Sequence, residues 1–292
     1  MAFSVVNNIS AIDARNRLER TSIGMNTTLS RLSSGLRINS AADDAAGLAI
    51  ADGLRADISS LNQAARNAND GVSLIQVADG ALAEMSNLLQ RAVSLAQQAA
   101  SDTSGADSSS SKTALGDEYE QILREINRIS LTVDFNNTTL FGASGSTFSI
   151  QVGASGTAAN DAITITTSAL TAVGSASGGL GLTGSGSGVT VTTTALDTKA
   201  AAVTELGLIK TAVDTLASRR GALGSSLNRM RATAAVVQNQ AQNLQAAESQ
   251  LRDADIAQEV VNLTKFQVLN QTGLAALSQA NIASQSILSL LG

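Results

Sequence analysis

The sequence predicts a mainly α protein: a long antiparallel helical rod, built like a coiled-coil bundle, with a small β-hairpin region at mid-chain and a terminal helix pair. Two matched repeats carry this prediction, because every seventh residue is apolar from Leu54 to Ala96 and again from Ile209 to Leu251. Each repeat describes a helix of roughly 65 to 70 Å, and so narrow an apolar stripe requires a partner helix. The 292 residues include no proline, the residue that interrupts helices.

The composition excludes several classes of site. The chain has no Cys, His or Trp, so disulfides, thiolate chemistry, imidazole bases and His metal ligands are all excluded. We therefore predict no catalytic, cofactor-binding or metal site. A net charge of -5 argues against nucleic-acid binding. No apolar run approaches the roughly 18 residues of a membrane span, and MAFSVVNNIS does not have the basic and apolar regions of a cleaved secretory signal.

Residues 1–130 predict three helices. A short amphipathic helix, interrupted near Gly35 and Asn39, carries the apolar residues Leu18, Met25, Leu29, Leu32 and Leu36. The long repeat begins at about Ala45 and ends in the Ser/Asp/Gly stretch 101–111, which predicts a loop. Apolar residues at helical spacing from Leu115 to Ile129 then predict another helix.

The pattern changes at mid-chain. Apolar and polar residues alternate over 148–152 and again over 163–166, which predicts two strands of a hairpin. Residues 173–195 are mostly Gly, Ser and Thr, too poor in apolar side chains to build a domain, so we predict a variable tip there. The second long helix returns over about 196–251. The predicted domains are a terminal coiled-coil domain of 1–44 and 255–292, a rod of 45–172 and 196–254, and this tip.

The two ends of the chain predict self-assembly. Both are amphipathic, and paired only with each other they would leave much apolar surface in water. Rods that pack head to tail and side by side through such ends form an open contact, which yields a helical filament when the rotation does not close. The predicted self-assembly residues are apolar side chains of the two terminal segments: Leu18, Met25, Leu29, Leu32, Leu36, Leu263, Phe266, Leu277, Ile287 and Leu291.

Several long motifs resemble one family. INSAADDAAGLAIADGLRADISSLNQAARNANDGVSLIQVADGALAEM at 38–85, together with RLSSGLR, ILREINRIS and FNNTTLF, resembles the N-terminal signature of bacterial flagellins. LGSSLNRM at 223–230 and SQLRDADIAQEV at 249–260 resemble the C-terminal signature. The resemblance implies a minimal flagellin, in which the terminal helices form the inner tube of the flagellar filament and the rod forms its outer tube.

The resemblance also implies partners and a location. The subunit would polymerise with itself, travel unfolded through the flagellar type III export apparatus, and end as an extracellular filament used for swimming. Flagellar cap and hook-associated proteins are implied, as is a cytosolic export chaperone that holds the segment from Leu263 to Leu291. The Gly/Ser/Thr tip offers O-glycan acceptors by the same resemblance: Ser175, Ser177, Ser185, Ser187, Thr190 and Thr192.

A host-detection site follows from resemblance as well. Flagellins sensed by the flagellin-specific Toll-like receptor present an Arg, a Leu and a Glu on two rod helices, and the matching residues here are Arg91, Leu95 and Glu118. The alternative is that Arg91 and Glu118 are solvated helix-face charges. For the whole chain, the alternatives are a hook-filament junction protein and an enzyme displayed on a filament. The absence of His excludes a zinc-peptidase motif.

Overall fold

A computed structural model of the chain describes residues 8–101, 109–141, 145–154, 156, 161–167, 170, 196 and 198–291, with the side chains of 109–110 and 284–291 left aside. These residues form five helices: α1 (Ile9–Ser34), α2 (Ala45–Ala99), α3 (Ser109–Thr132), α4 (Lys199–Arg252) and α5 (Ile256–Leu291). They also form four strands: β1 (Asp134–Phe135), β2 (Thr138–Thr139), β3 (Ser146–Gln151) and β4 (Ala162–Thr167). The predicted mainly α fold with a small antiparallel β region is confirmed.

The chain forms two compact units. A terminal unit contains Met1–Ile58 and Gln242–Gly292, and a central unit contains Ser59–Ala241. The division falls inside α2 and α4, and the predicted domain limits at residues 44 and 255 stay a prediction. The predicted variable tip, 173–195, lies outside the described residues.

The two apolar repeats meet in the core of the central unit. Every repeat member of α2 from Leu61 to Ala96 is buried, and so is every member of α4 from Ile209 to Val237. Helix α3 adds Tyr119 and Ile126 to the same cluster. A seven-residue apolar period places these side chains on one helix face, so burying that face requires the neighbouring helices.

The central unit contains two antiparallel hairpins. The predicted hairpin is present, with Phe148 opposite Ile165 in the β3–β4 register. The amide nitrogen of Asn67 on α2 donates to the Gln151 carbonyl at 3.0 Å, and Ile150 lies over Gly71. Strands β3 and β4 are thereby held against α2.

The sequence prediction missed the β1–β2 hairpin. Its turn residues, Asn136 and Asn137, have φ angles of 51° and 61°. Two consecutive residues with positive φ are typical of the tight turn that joins two hairpin strands, and Asn tolerates that backbone better than other non-glycine residues. The Asn-Asn pair was therefore the available signal.

In the terminal unit α1 and α5 pack antiparallel. The Asn8 side chain accepts from the Ala11 N–H at 3.0 Å, capping α1, and its amide donates to the Ala280 carbonyl at 3.1 Å. Further along, Gly24 faces the Phe266 ring. Helix α1 ends at Gly35, whose φ of 71° is left-handed and whose N–H donates to the Arg31 carbonyl.

None of the described helices is long and apolar enough to cross a membrane.

Candidate self-assembly surface

A short backbone ladder joins the two chain segments that follow α1 and α4. The Arg37 N–H donates to the Arg252 carbonyl at 2.6 Å, and the Ala254 N–H donates to the Gly35 carbonyl at 2.9 Å. Leu36 and Asp253 form the antiparallel bridge between these two bonds. The ladder fixes where α5 begins relative to the end of α1.

Arg31 lies between two carboxylates beside this ladder. Its guanidinium is 3.4 Å from Asp43 Oδ1 and 3.5 Å from Glu259 Oε1. The backbone N–H and the hydroxyl of Ser40 lower the pKa of the Asp43 carboxyl, and the Arg31 charge adds to that effect. Arg31 Nε and Glu259 Oε2 are buried without a hydrogen-bond partner. The opposite charges of this cluster therefore face one another, but two of its buried polar atoms lack a hydrogen bond.

The predicted self-assembly residues divide into three groups. Most are half-buried: Leu18, Met25, Leu32, Leu36, Leu263, Phe266 and Leu277. Leu29 is exposed, and the side chains of Ile287 and Leu291 lie outside the described set. The contacts of Leu18 with Gly273 and of Phe266 with Gly24 place these two residues in the seam between α1 and α5.

A second apolar set lies on the outside of the same two helices. Its members, exposed by 44–70%, are Ile9, Ile12, Ile23, Leu29, Ile256, Val260, Val261, Val268, Leu269, Leu274 and Ile282. The sequence prediction included only Leu29 among them. The others fall outside the seven-residue repeat. For Val268, Leu269, Leu274 and Ile282 a signal was available, because α5 has no charged residue from Phe266 onward.

The pair of helices has almost no buried side chain. Among the described side chains of α1 and α5, only Thr28 and Glu259 are buried, and both are polar. Two helices alone cannot enclose an apolar core, because each keeps most of its circumference in water. The apolar residues of α1 and α5 therefore remain partly or largely exposed in the isolated chain.

The residues predicted for host detection belong to the central unit. Arg91 Nε and Nη2 donate to Glu118 Oε1 at 2.8 and 2.6 Å, and both side chains are largely exposed. Leu95 is 1% exposed and lies in the core. The Leu95 side chain packs in the core cluster, and the receptor contact predicted for it stays a prediction. The predicted glycan acceptors all lie outside the described residues.

No group of three or more Asp or Glu side chains in the described ranges stands close enough to hold a metal ion.

Two family models match the chain. The bacterial flagellin N-terminal helical region matches residues 5–146, and the bacterial flagellin C-terminal helical region matches residues 206–291. The chain belongs to the bacterial flagellin family. The two matches include all of α1, α2, α3 and α5, so they contain both apolar surfaces described above.

Similar proteins agree in name and length. The chain is 37% identical to a flagellin of Halalkalibacterium halodurans, with 90% of each chain covered. It is 36% identical to flagellin FlaB1 of Treponema pallidum over 97% of this chain and 98% of that protein, and 35% identical to a Bacillus subtilis flagellin with the same coverage. A crystal structure of Bacillus cereus flagellin aligns with a TM-score of 0.48 and 29% identity, over 63% of this chain and 94% of that one.

These comparisons show which class of protein the chain belongs to. The chain is a flagellin without a large variable domain and a structural subunit of the flagellar filament. Nothing in the comparisons favours the hook-filament junction protein. Flagellins are structural proteins, and the prediction of a non-enzyme is consistent with that.

Proposed function

We propose that this filament subunit polymerises through the outward apolar side chains of α1 and α5. The observation that carries the proposal is the exposure of these side chains, which reaches 61% at Ile23 and 52% at Leu274. Apolar patches of this extent on a helix pair mark an interaction surface. The filament function supplies the partner, which is a further copy of the same chain.

Burial of this surface accounts for the free energy of assembly. Removing a Leu or Ile side chain from water is worth roughly 1.5 to 3 kcal/mol. Burying several of them between copies offsets the cost of immobilising each subunit in the polymer. The contact joins unlike patches of identical copies, so it continues from copy to copy and forms an open helical polymer.

The two apolar sets have different tasks in this proposal. The seam residues, such as Leu18 and Phe266, hold α1 and α5 together within one chain. The outward residues, such as Ile23 and Leu274, hold one chain to the next. The seam is a precondition for assembly, since it holds together the two helices that carry the outward residues.

The family resemblance supports a route to that assembly. The chain leaves the cell through the flagellar type III export apparatus, and a cytosolic export chaperone covers the segment from Leu263 to Leu291 beforehand. The mature subunit is extracellular, in the flagellar filament, where cap and hook-associated proteins contact the polymer. The exposed apolar surface of α5 supports the chaperone step, because such a surface needs a cover before export.

Host detection through a flagellin-sensing Toll-like receptor belongs to the same proposal. The exposed pair of Arg91 and Glu118 supports it, since both charges are accessible. Leu95 contributes by packing α2 in place rather than by touching the receptor. O-glycans on Ser175, Ser177, Ser185, Ser187, Thr190 and Thr192 stay a proposal from resemblance alone.

Seeded polymerisation of purified full-length monomer tests the assembly surface. We expect Ile23→Asp and Leu274→Asp to prevent growth of filaments from seeds, because a carboxylate at either position must lose its water in the contact. Val236→Asp is the matched control, since Val236 is 63% exposed on α4 in the central unit. Electron microscopy gives filament length, and circular dichroism checks that each variant keeps its helix content.

Two results would contradict the proposal. Wild-type growth by Ile23→Asp and Leu274→Asp would show that the outward residues take no part in assembly. A block by Val236→Asp equal to theirs would show that any added surface charge stops growth, so that α1 and α5 have no special place.

A further inference from the structure

We infer that a groove on the α1–α5 pair of one copy receives the opposite face of α1 from a second copy. The inference rests on the proposed function, because it assigns a specific contact within the proposed assembly surface. Three observations carry it: the shape and lining of the groove, an unpaired arginine at its rim, and an acidic, apolar stripe on the other side of α1.

The groove has a volume of about 500 Å³ and lies between α1 and α5. Its floor is apolar, with Leu18 from one helix and Leu269, Gly273 and Ala276 from the other. Gly273 is needed for this close approach, because a Cβ at that position would lie 3.1 Å from Leu18 Cδ1. The floor therefore suits an apolar side chain of an incoming segment.

The rim of the groove is basic. Arg17 and Arg20 line it, and α5 adds no charge, since its last charged residue is Lys265. Arg17 is already paired, with its Nε 3.0 Å from Asp13 Oδ2. Arg20 has no ion pair within the part of the chain that the structure describes. The groove thus presents one arginine, Arg20, that has no ion pair among the described residues, beside an apolar floor.

A complementary stripe lies on the far side of α1. Ile12, Glu19 and Ile23 follow one another by seven and four residues, so they share one line along the helix. Ile12 and Ile23 are 52% and 61% exposed. Glu19 is exposed too, and it forms no ion pair with any other described residue. The stripe offers two apolar side chains and, between them, the Glu19 carboxylate, which has no ion pair among the described residues.

The position of the stripe identifies its partner as a second copy. At 3.6 residues per turn, the groove residues Arg17, Leu18 and Thr21 lie roughly 120 to 180° around α1 from Ile12. Arg20, at the edge of the groove nearer the stripe, lies roughly 80° from Ile12. One chain cannot place its own stripe in its own groove. Two copies can, and each copy then keeps one free groove and one free stripe. Such a contact joins unlike patches and propagates, as a helical filament requires.

Charge reversal at Glu19 and Arg20 tests the contact. We expect Glu19→Arg and Arg20→Glu each to raise the critical concentration for seeded growth about tenfold or more, because each variant brings like charges together at the contact. The double variant, Glu19→Arg with Arg20→Glu, restores the opposite charges and should return to within about threefold of wild type. Arg229→Glu is the matched control, since it makes the same charge change at an exposed residue of α4.

The outcomes separate this inference from the proposed function. Growth of either single variant at the wild-type concentration overturns the inference, and so does a double variant that stays as impaired as the singles. If Ile23→Asp and Leu274→Asp still prevent growth in that case, the apolar assembly surface stands without this groove. Failure of the aspartate variants to impair growth would overturn the proposed function itself.

Discussion

The central and terminal units use similar helices in different ways. In the central unit the repeat residues of α2 and α4 are buried to 8% exposure or less. They form one core cluster with side chains of α3 and β4. In the terminal unit α1 and α5 bury only Thr28 and Glu259 among their described side chains. Three helices enclose a core, whereas two helices leave their apolar residues partly in water.

The difference shows how one chain separates stability from association. Side chains that are fully buried within the monomer stabilise it and have nothing left to offer a neighbour. Side chains that remain exposed contribute little to the monomer and much to a contact. The central unit should therefore set the free energy of unfolding, and the terminal unit should set the affinity between copies.

Truncating one leucine in each unit should give the largest difference in the free energy of unfolding. Leu89 is fully buried in the central unit, so Leu89→Ala should lower the free energy of unfolding by about 2 to 5 kcal/mol. Leu18 is only half-buried in the terminal unit, so Leu18→Ala should lower it by about 1 kcal/mol. Urea unfolding followed by circular dichroism measures both variants. Equal losses would contradict the division of roles.

A smaller effect concerns the packing of β3 on α2. Adding a Cβ at Gly71 would place it against Ile150 Cδ1 and 3.0 Å from Met230 Cε. We expect Gly71→Ala to destabilise the central unit by about 1 to 3 kcal/mol, because Met230 lies in the packed core and Ile150 packs against that core.

Gly80→Ala is the control for this substitution. Gly80 lies on the same helix, and a Cβ there would meet nothing within 4 Å. Alanine is the better helix former, so Gly80→Ala should stabilise the protein by about 0.5 to 1 kcal/mol. Thermal unfolding compares the two variants, and a stabilising Gly71→Ala would show that the hairpin is not tightly packed on α2.

The smallest expected effect is a dependence on alkaline pH. Tyr119 donates to Glu205 Oε1 at 2.7 Å inside the central unit, and burial followed by the Glu205 carboxylate raises the pKa of the Tyr119 phenol. A pKa that is higher in the folded protein gives a stabilisation that is complete below the unfolded value of about 10 and is lost as the pH rises above it.

The chain has one tyrosine, so the measurement is specific. We expect the wild-type protein to lose stability above about pH 10 more steeply than Tyr119→Phe does. The tyrosinate absorbance of the wild type should appear together with unfolding. Tyrosinate that forms at about pH 10 while the helices persist would contradict the burial of this phenol.

The sequence predicted the core better than the surface. The apolar repeats identified the buried faces of α2 and α4, because a period of seven marks the side of a helix that meets a partner. The alternation over 148–152 identified β3 for a similar reason. A period does not say whether the partner belongs to the same chain. Leu18 and Phe266 were predicted as contacts between copies, which stays a prediction, and within one chain both lie in the seam.

The residues that the sequence did not predict lack such a period. Ile23 and Leu274 are exposed apolar residues outside the repeat, and only the packing of α1 on α5 shows which way they face. Leu95 matched a motif, yet its side chain lies in the core cluster. Asn136 and Asn137 define a hairpin through their positive φ angles, and the only sequence signal for it was the Asn-Asn pair itself.

The hydrogen bond from the Asn8 side chain to the Ala280 carbonyl also bears on the order of synthesis. These two residues are 272 positions apart along the chain. Helix α1 is made before α5, so α1 has no partner in its own chain until α5 has been synthesised. The helices of the central unit meet earlier, and domains generally fold as their segments become available. A chain that stops short of α5 would retain a folded middle and release an unpaired, apolar first helix.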